Sequence, residues 1–284
     1  MIINQIIMNK PVYKLLDWIK EKDITCMYLS DNLNAIELLK ANPDKINWVC
    51  LSKNPNAIEL LEANQDKIDW IWLSCNTNAM KLITANQDKI DWKCLSCNPS
   101  AIELLKANHD KINWVCLSSN PSAIELLKAN PDKIDWSYLS KNTSYEAIEL
   151  LKANQDKINW YYLSLNFNSN AIQLLKENQD KINWDYLSCN RNAIELLKEN
   201  PDYIDWDYLS LNPNHDAIEL LKANPDKINW NWFSENHSIF ELDYKQMRIN
   251  FQDLEEEIIK EVMKPKRIFR NLELYGYDID DMFD

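Results

Sequence analysis

Apolar and polar residues alternate along this chain in one pattern, copied many times. From Asn32 the apolar positions are Ala35, Ile36, Leu38, Leu39 and Ala41. A polar stretch, Asn42-Pro43-Asp44-Lys45, separates them from Ile46, Trp48, Val49, Cys50 and Leu51. The same order restarts at Asn54. Tryptophan marks the period at Trp48, Trp70, Trp92, Trp114, Trp136, Trp160, Trp184, Trp206 and Trp230, in steps of 22 residues five times and 24 residues three times. The body Ala-Ile-Glu-Leu-Leu-Lys-Ala consists of strong helix formers with one apolar side, and Ile46, Trp48, position 50 and Leu51 give the second segment an apolar side too. Each unit is therefore predicted to be a pair of short helices.

The predicted boundaries follow from capping chemistry. Asn34 and its equivalents Asn56, Asn78, Ser100, Ser122, Asn170, Asn192 and Asp216 precede the first helix, mostly with Glu or Gln three residues on, as a capping box requires. Asn42 ends that helix as a residue that tolerates the left-handed region. Asp44, repeated through Asp226, is predicted to cap the second helix. The two-residue insertions (Thr143 to Tyr145, Phe167 to Ser169, Pro213 to His215) fall before the first helix, where a loop accepts them.

A leucine-rich repeat has an overlapping period, and Leu51-Ser52-Lys53-Asn54 resembles its corner. Position 49 argues against it. A buried leucine is needed there, but the chain has Val49, Ile71, Lys93, Val115, Ser137, Tyr161, Asp185, Asp207 and Asn231. The expected fold is all-α: an α-solenoid of about ten two-helix repeats with a helical C-terminal cap. Residues 1–31 hold an N-terminal cap and a degenerate first repeat, with Cys26 where Trp belongs; 32–236 are the solenoid; 237–284 are the cap or tail. Helices this short need their neighbours for stability, so the tryptophans are read as structural, in a continuous core. Stacked about 8–10 Å apart, ten units would make an arc of about 80–100 Å.

The chain has 284 residues and a net charge of -13. That excess disfavours nucleic acid and anionic membranes as partners, and no apolar run reaches the roughly 18 residues of a membrane span. The apolar start, Met1 to Met8, is too short and lacks the basic leader of a signal peptide. A single glycine, Gly276, excludes glycine-rich phosphate loops. Seven cysteines follow the repeat rather than a disulfide framework, which fits a reducing cytosol.

The unit Leu-Ser-x-Asn-Pro-x-Ala-Ile-x-Leu-Leu-x-x-Asn-Pro-Asp-Lys-Ile-x-Trp, over residues 30 to 236, resembles the short tandem repeats abundant in giant DNA viruses of the mimivirus group. Lys264-Pro265-Lys266-Arg267-Ile268 and Gly276-Tyr277-Asp278-Ile279-Asp280-Asp281 resemble the tail those proteins carry, with Lys264 where the family form has His. The resemblance implies a viral protein from an A/T-rich genome, located in the host cytoplasm or the virion, and implies no activity.

Candidate chemistry is sparse. Cys94-x-x-Cys97 marks the crossing of two repeat columns, shared with Cys50 and Cys116 and with Cys75 and Cys189; no second pair completes a zinc site. His109, His215 and His237 stand alone, and no nucleophile–base pair can be built. No catalytic residue, metal or cofactor is expected. The variable positions are more informative. Tyr138, Tyr161, Tyr162, Tyr186 and Tyr208 cluster in the later units beside Asp185 and Asp207, as an acidic, tyrosine-rich strip that would bind another protein, unless position 50 only completes the core. In the tail, Ser238 is predicted to start a capped helix, followed by an amphipathic helix through Met263 and another over 266–275. This is either a terminal cap on the last repeat or a docking module: Leu254 to Ile259 faintly resemble the start of an F-box. The function expected is a non-enzymatic protein–protein interaction scaffold; a ubiquitin-ligase substrate adaptor and a structural virion or assembly protein are the alternatives.

Overall fold

A computed structural model describes residues 12–20, 24–249, 259, 260 and 264. These divide into two units, Leu15–Phe240 and a smaller one holding residues 12–14 and those from 241 onward.

The larger unit is an all-α repeat solenoid, with more elements per repeat than two. In the repeat from Asn32 a first helix, Ile36–Ala41, leads to a 3-10 turn, Pro43–Lys45, and a second helix, Trp48–Lys53. A further 3-10 turn, Pro55–Ala57, opens the next first helix, Ile58–Glu62. The insertions lengthen the first helix to Tyr145–Lys152, Ser169–Lys176 and His215–Ala223.

The extra turns move the caps away from their predicted places. Asp44 lies inside the Pro43–Lys45 turn, and Ile46 then runs extended (φ −72°, ψ 124°), so the second helix starts later. Its cap is the residue before each Trp: Asn47 Oδ1 accepts from Val49 N and Cys50 N, and Asp69, Asp91, Asn113, Asp135, Asn159, Asn183, Asp205 and Asn229 act likewise. No capping box forms at Asn34 either: the first helix has Ala35 at its N-cap, and Glu37 pairs forward with Lys40 at 2.8 Å. Asn42 stops the helix without entering the left-handed region. Its φ is −132°, and its amide donates to Leu38 O at 3.0 Å.

The core contains Ala35, Leu39, Leu51 and their equivalents, together with two polar columns. The serines Ser30, Ser52, Ser74, Ser96, Ser118, Ser140, Ser164, Ser188, Ser210 and Ser234 are buried, as are Asn32, Asn54, Asn76, Asn98, Asn120, Asn142, Asn166, Asn190, Asn212 and Asn236. Each is satisfied across a repeat interface, as a buried polar group must be. Ser52 Oγ donates to Trp48 O and accepts from the next repeat's Asp69 N. Asn54 Nδ2 donates to both Ser30 O and Asn32 O of the preceding repeat, while its Oδ1 accepts from Asn56 N.

The same bonds join the last repeat to the first. Asn32 Nδ2 donates to Ser234 O at 3.0 Å and Asn236 O at 2.9 Å, and Thr25 N donates to Ser234 Oγ at 3.0 Å. The Cys26–Leu29 helix packs on the Trp230–Glu235 helix as consecutive second helices do elsewhere. The larger unit is thus a closed ring of ten repeats, not the open arc expected. A head-to-tail interface closes when its rotation per unit, about 36° for ten units, divides the circle. Asn34 adds a bond to His237 O at 3.0 Å, so the first repeat occupies the end of the last one. The degenerate first repeat supplies a second helix, Cys26–Leu29, and β1 (Tyr13–Leu15) precedes it in the chain.

β1 forms a two-stranded sheet with β2 (Phe240–Leu242). In the smaller unit Asp243 N donates to Val12 O at 2.8 Å, and Lys14 pairs with Glu241 at 2.9 Å. Ser238 starts no α-helix: it sits in the His237–Ile239 turn, and Glu241 is in β2. The next helix covers 244–249, and Asp243 Oδ1 caps it by accepting from Gln246 N. The F-box-like segment and the 266–275 helix lie outside the described residues, apart from residue 259. No helix among the described residues is long and apolar enough to cross a membrane.

Candidate functional site

Second helices of successive repeats pack directly on one another, whereas first helices do so substantially only between Tyr145–Lys152 and Ser169–Lys176. In a ring the more tightly spaced layer has the shorter circumference, so the second helices line the inner side. The longer first helices fall outside, where insertions leave the ring undisturbed.

Leu51 and Ser52 of the second helix face the core, which turns position 49 outward and leaves positions 50 and 53 at the core's edge, mostly half-buried, with Cys116 in the position-50 column buried. These three columns make a belt around the ring. The tryptophans lie beside it, half-buried rather than in the core. Lys67, Lys89, Lys111, Lys133, Lys157, Lys181 and Lys227 each sit 4.2–4.7 Å over the preceding repeat's Trp48, Trp70, Trp92, Trp114, Trp136, Trp160 and Trp206. Where Tyr203 replaces the lysine, it stacks on Trp184 at 4.8 Å. Trp230 instead meets Phe233 edge-on at 5.7 Å.

The belt changes character around the ring. One arc holds Ile71, Trp72, Cys75, Cys94, Cys97 and Cys116. Bonds run from the Cys-x-x-Cys pair to both neighbouring repeats: Cys94 O accepts from Cys75 Sγ, and Cys97 Sγ donates to Cys116 O. Burial raises the thiols of Cys75, Cys94 and Cys116, and raises Cys50 and Cys189 to about 11, so they stay protonated and weakly nucleophilic at neutral pH. Among the described residues, no three His, Cys, Asp or Glu side chains are grouped so as to hold a metal ion.

The other arc is aromatic. Tyr138 meets Tyr162 at 5.9 Å, Tyr161 meets both Tyr162 (5.3 Å) and Tyr186 (4.1 Å), and the series continues through Tyr186–Tyr208 (5.1 Å) to Tyr208–Trp232 (5.0 Å), all edge-to-face. The hydroxyls of Tyr161 and Tyr186 are hydrogen-bonded, which raises the Tyr161 pKa. Tyr161 is 44% exposed; Tyr138, Tyr162, Tyr186 and Tyr208 are intermediate; Asp185 and Asp207 are exposed. The tyrosines singled out by column variation therefore form one contiguous patch. Two members escaped the sequence reading. Trp232 extends the series, and Lys141 lies 3.9 Å over Tyr162 and 5.1 Å over Tyr138. Their shared columns with Tyr208 and Lys53 were the available signal.

Searches against protein families, characterised proteins and solved structures return no match to this chain.

Proposed function

We propose that the protein is a non-enzymatic interaction scaffold that holds another protein against the inner belt. One observation carries this reading: within the second helices, the buried Ser and neighbouring Leu columns hardly change between repeats, while the belt columns, exposed at position 49 and half-buried at position 50, change from thiol and aliphatic to tyrosine and carboxylate. A framework that needed only to close would tolerate one residue type in those columns throughout. Tyrosine gives a large contact area at low entropic cost and a polar tip for a hydrogen bond. The resemblance of the unit to giant-virus tandem repeats supports a viral source and a cytoplasmic or virion setting.

The test is capture with tagged protein. Tyr161→Ala, Tyr186→Ala and Tyr208→Ala together should abolish recovery of the partner found with the wild type, because interface tyrosines commonly contribute about 1–2 kcal/mol each or more. Glu103→Ala with Glu125→Ala, on the first helices, should leave recovery intact. Loss with the glutamate pair and retention with the three tyrosine substitutions would place the interface on the outer face.

A further inference from the structure

Through most of the ring the protein provides its own cation for its half-buried aromatic rings. Seven tryptophans carry the next repeat's lysine, and Tyr138 and Tyr162 share Lys141. The column that holds Lys141 then becomes Leu165, Cys189, Leu211 and Glu235. Tyr161, Tyr186 and Tyr208 consequently have no cation over them among the described residues. The exposed column next to them gains two carboxylates in the same stretch, Asp185 and Asp207. The negative charge of Asp185 is felt at Tyr161, and Asp207 accepts a neutral amide hydrogen bond from Asn229 at 3.1 Å. No lysine or arginine is paired with either aspartate among the described residues.

We propose that Tyr161, Tyr186, Tyr208, Asp185 and Asp207 form a receptor for an arginine side chain on a basic segment of the partner protein. The proposal rests on the belt reading above and specifies its partner. A guanidinium stacks flat on a tyrosine ring while its N–H groups reach a carboxylate in a fork, which suits this pairing better than a lysine ammonium. The net charge of -13 would favour the approach of such a segment.

The probe is a capped peptide of four arginines spaced by serines, compared with its citrulline isostere by titration calorimetry near physiological salt. The arginine peptide should bind at least about ten-fold more tightly than the citrulline one, and Asp185→Asn with Asp207→Asn should remove about the same factor. Asn231 already occupies this column, so the substitutions preserve the fold. Glu103→Gln with Glu125→Gln changes the net charge equally on the outer face and should have little effect. Equal binding of the two peptides, or equal loss with the outer pair, would overturn the proposal. If partner capture depends on the tyrosines but the arginine peptide does not bind, the belt reading stands and the cation receptor falls. If the peptide binds as expected but capture does not depend on the tyrosines, the receptor stands and the belt reading falls.

Discussion

Nine interfaces of the ring join repeats that follow one another in the chain; the tenth joins residues 202–209 positions apart. The bonding pattern is the same. Asn32 bonds Ser234 O and Asn236 O as Asn120 bonds Ser96 O and Asn98 O, all at 2.9–3.0 Å. What differs is the packing around it. Phe233 stands where other repeats have Leu, and Trp18 lies against it at 5.8 Å. For a flexible chain, closing a loop of about 200 residues rather than about 22 costs roughly 2 kcal/mol more. Burying one larger aromatic ring with an aromatic neighbour contributes a comparable amount. The closing interface is thus an ordinary repeat interface with added apolar contact, and the repeat carries its own means of closure.

The most damaging way to test this equivalence is to remove the buried amide. Asn120→Ala leaves Ser96 O and Asn98 O without their donor and Ser122 N without its acceptor. Each buried group costs about 1–3 kcal/mol, so a loss of about 3 kcal/mol or more is expected in chemical denaturation. Asn32→Ala should cost a similar amount, but with a different product. No short linker spans that interface, so the ring should open, enlarging the radius of gyration in X-ray scattering and exposing two apolar end faces that self-associate. If both variants keep the wild-type radius, the closing interface is no weaker a point than the others.

The two polar columns also show why part of the fold was legible in the sequence and part was not. Period, helical class and the position of the insertions all follow from local pattern. Asn42 was legible as the end of a helix, because that role involves only its neighbours; Asn54 likewise ends the second helix. The second role of Asn54, bridging to Ser30 O and Asn32 O, needs a partner one repeat away that no local rule names. Closure was illegible for a related reason: the rotation per repeat depends on the relative spacing of the inner and outer layers. The tyrosine strip could be read as a variable column, but the joining of Tyr161 to Tyr186 across repeats, and Lys141 over Tyr162, depend on that curvature.

Helix starts offer a smaller test, within one interface. Asn113 Oδ1 accepts from Cys116 N, whereas Asp110 lies in the preceding 3-10 turn without capping it. Asn113→Ala should cost about 0.5–2 kcal/mol and Asp110→Ala less than about 0.5 kcal/mol in thermal or chemical melts. The reverse order would mean that the 3-10 turn, rather than the second helix, needs the cap.

The smallest expected effect lies at the closing interface and distinguishes it electrostatically. Glu235 is half-buried there near Asp31 and Lys53, with Lys53 paired to Asp31 at 3.1 Å. Burial first, and the Asp31 charge second, raise the Glu235 carboxyl above its usual 4.5, against the opposing pull of Lys53. The folded protein therefore keeps this proton to higher pH than the unfolded chain does. Below the usual value both states are protonated and stability is unaffected; as pH rises through the folded-state pKa, ionisation is penalised only in the folded state and stability is lost. Glu235→Gln keeps the neutral form at every pH. Its melting temperature should match the wild type near pH 4 and exceed it by about 1–2 °C at pH 8, since partial exposure screens the effect. Burial also lowers the pKa of His237, but that group is common to both proteins and cancels in the difference. A variant less stable than the wild type at pH 8 would mean that the Lys53 attraction outweighs burial and Asp31, and that Glu235 holds the closing interface as an ion-pair partner.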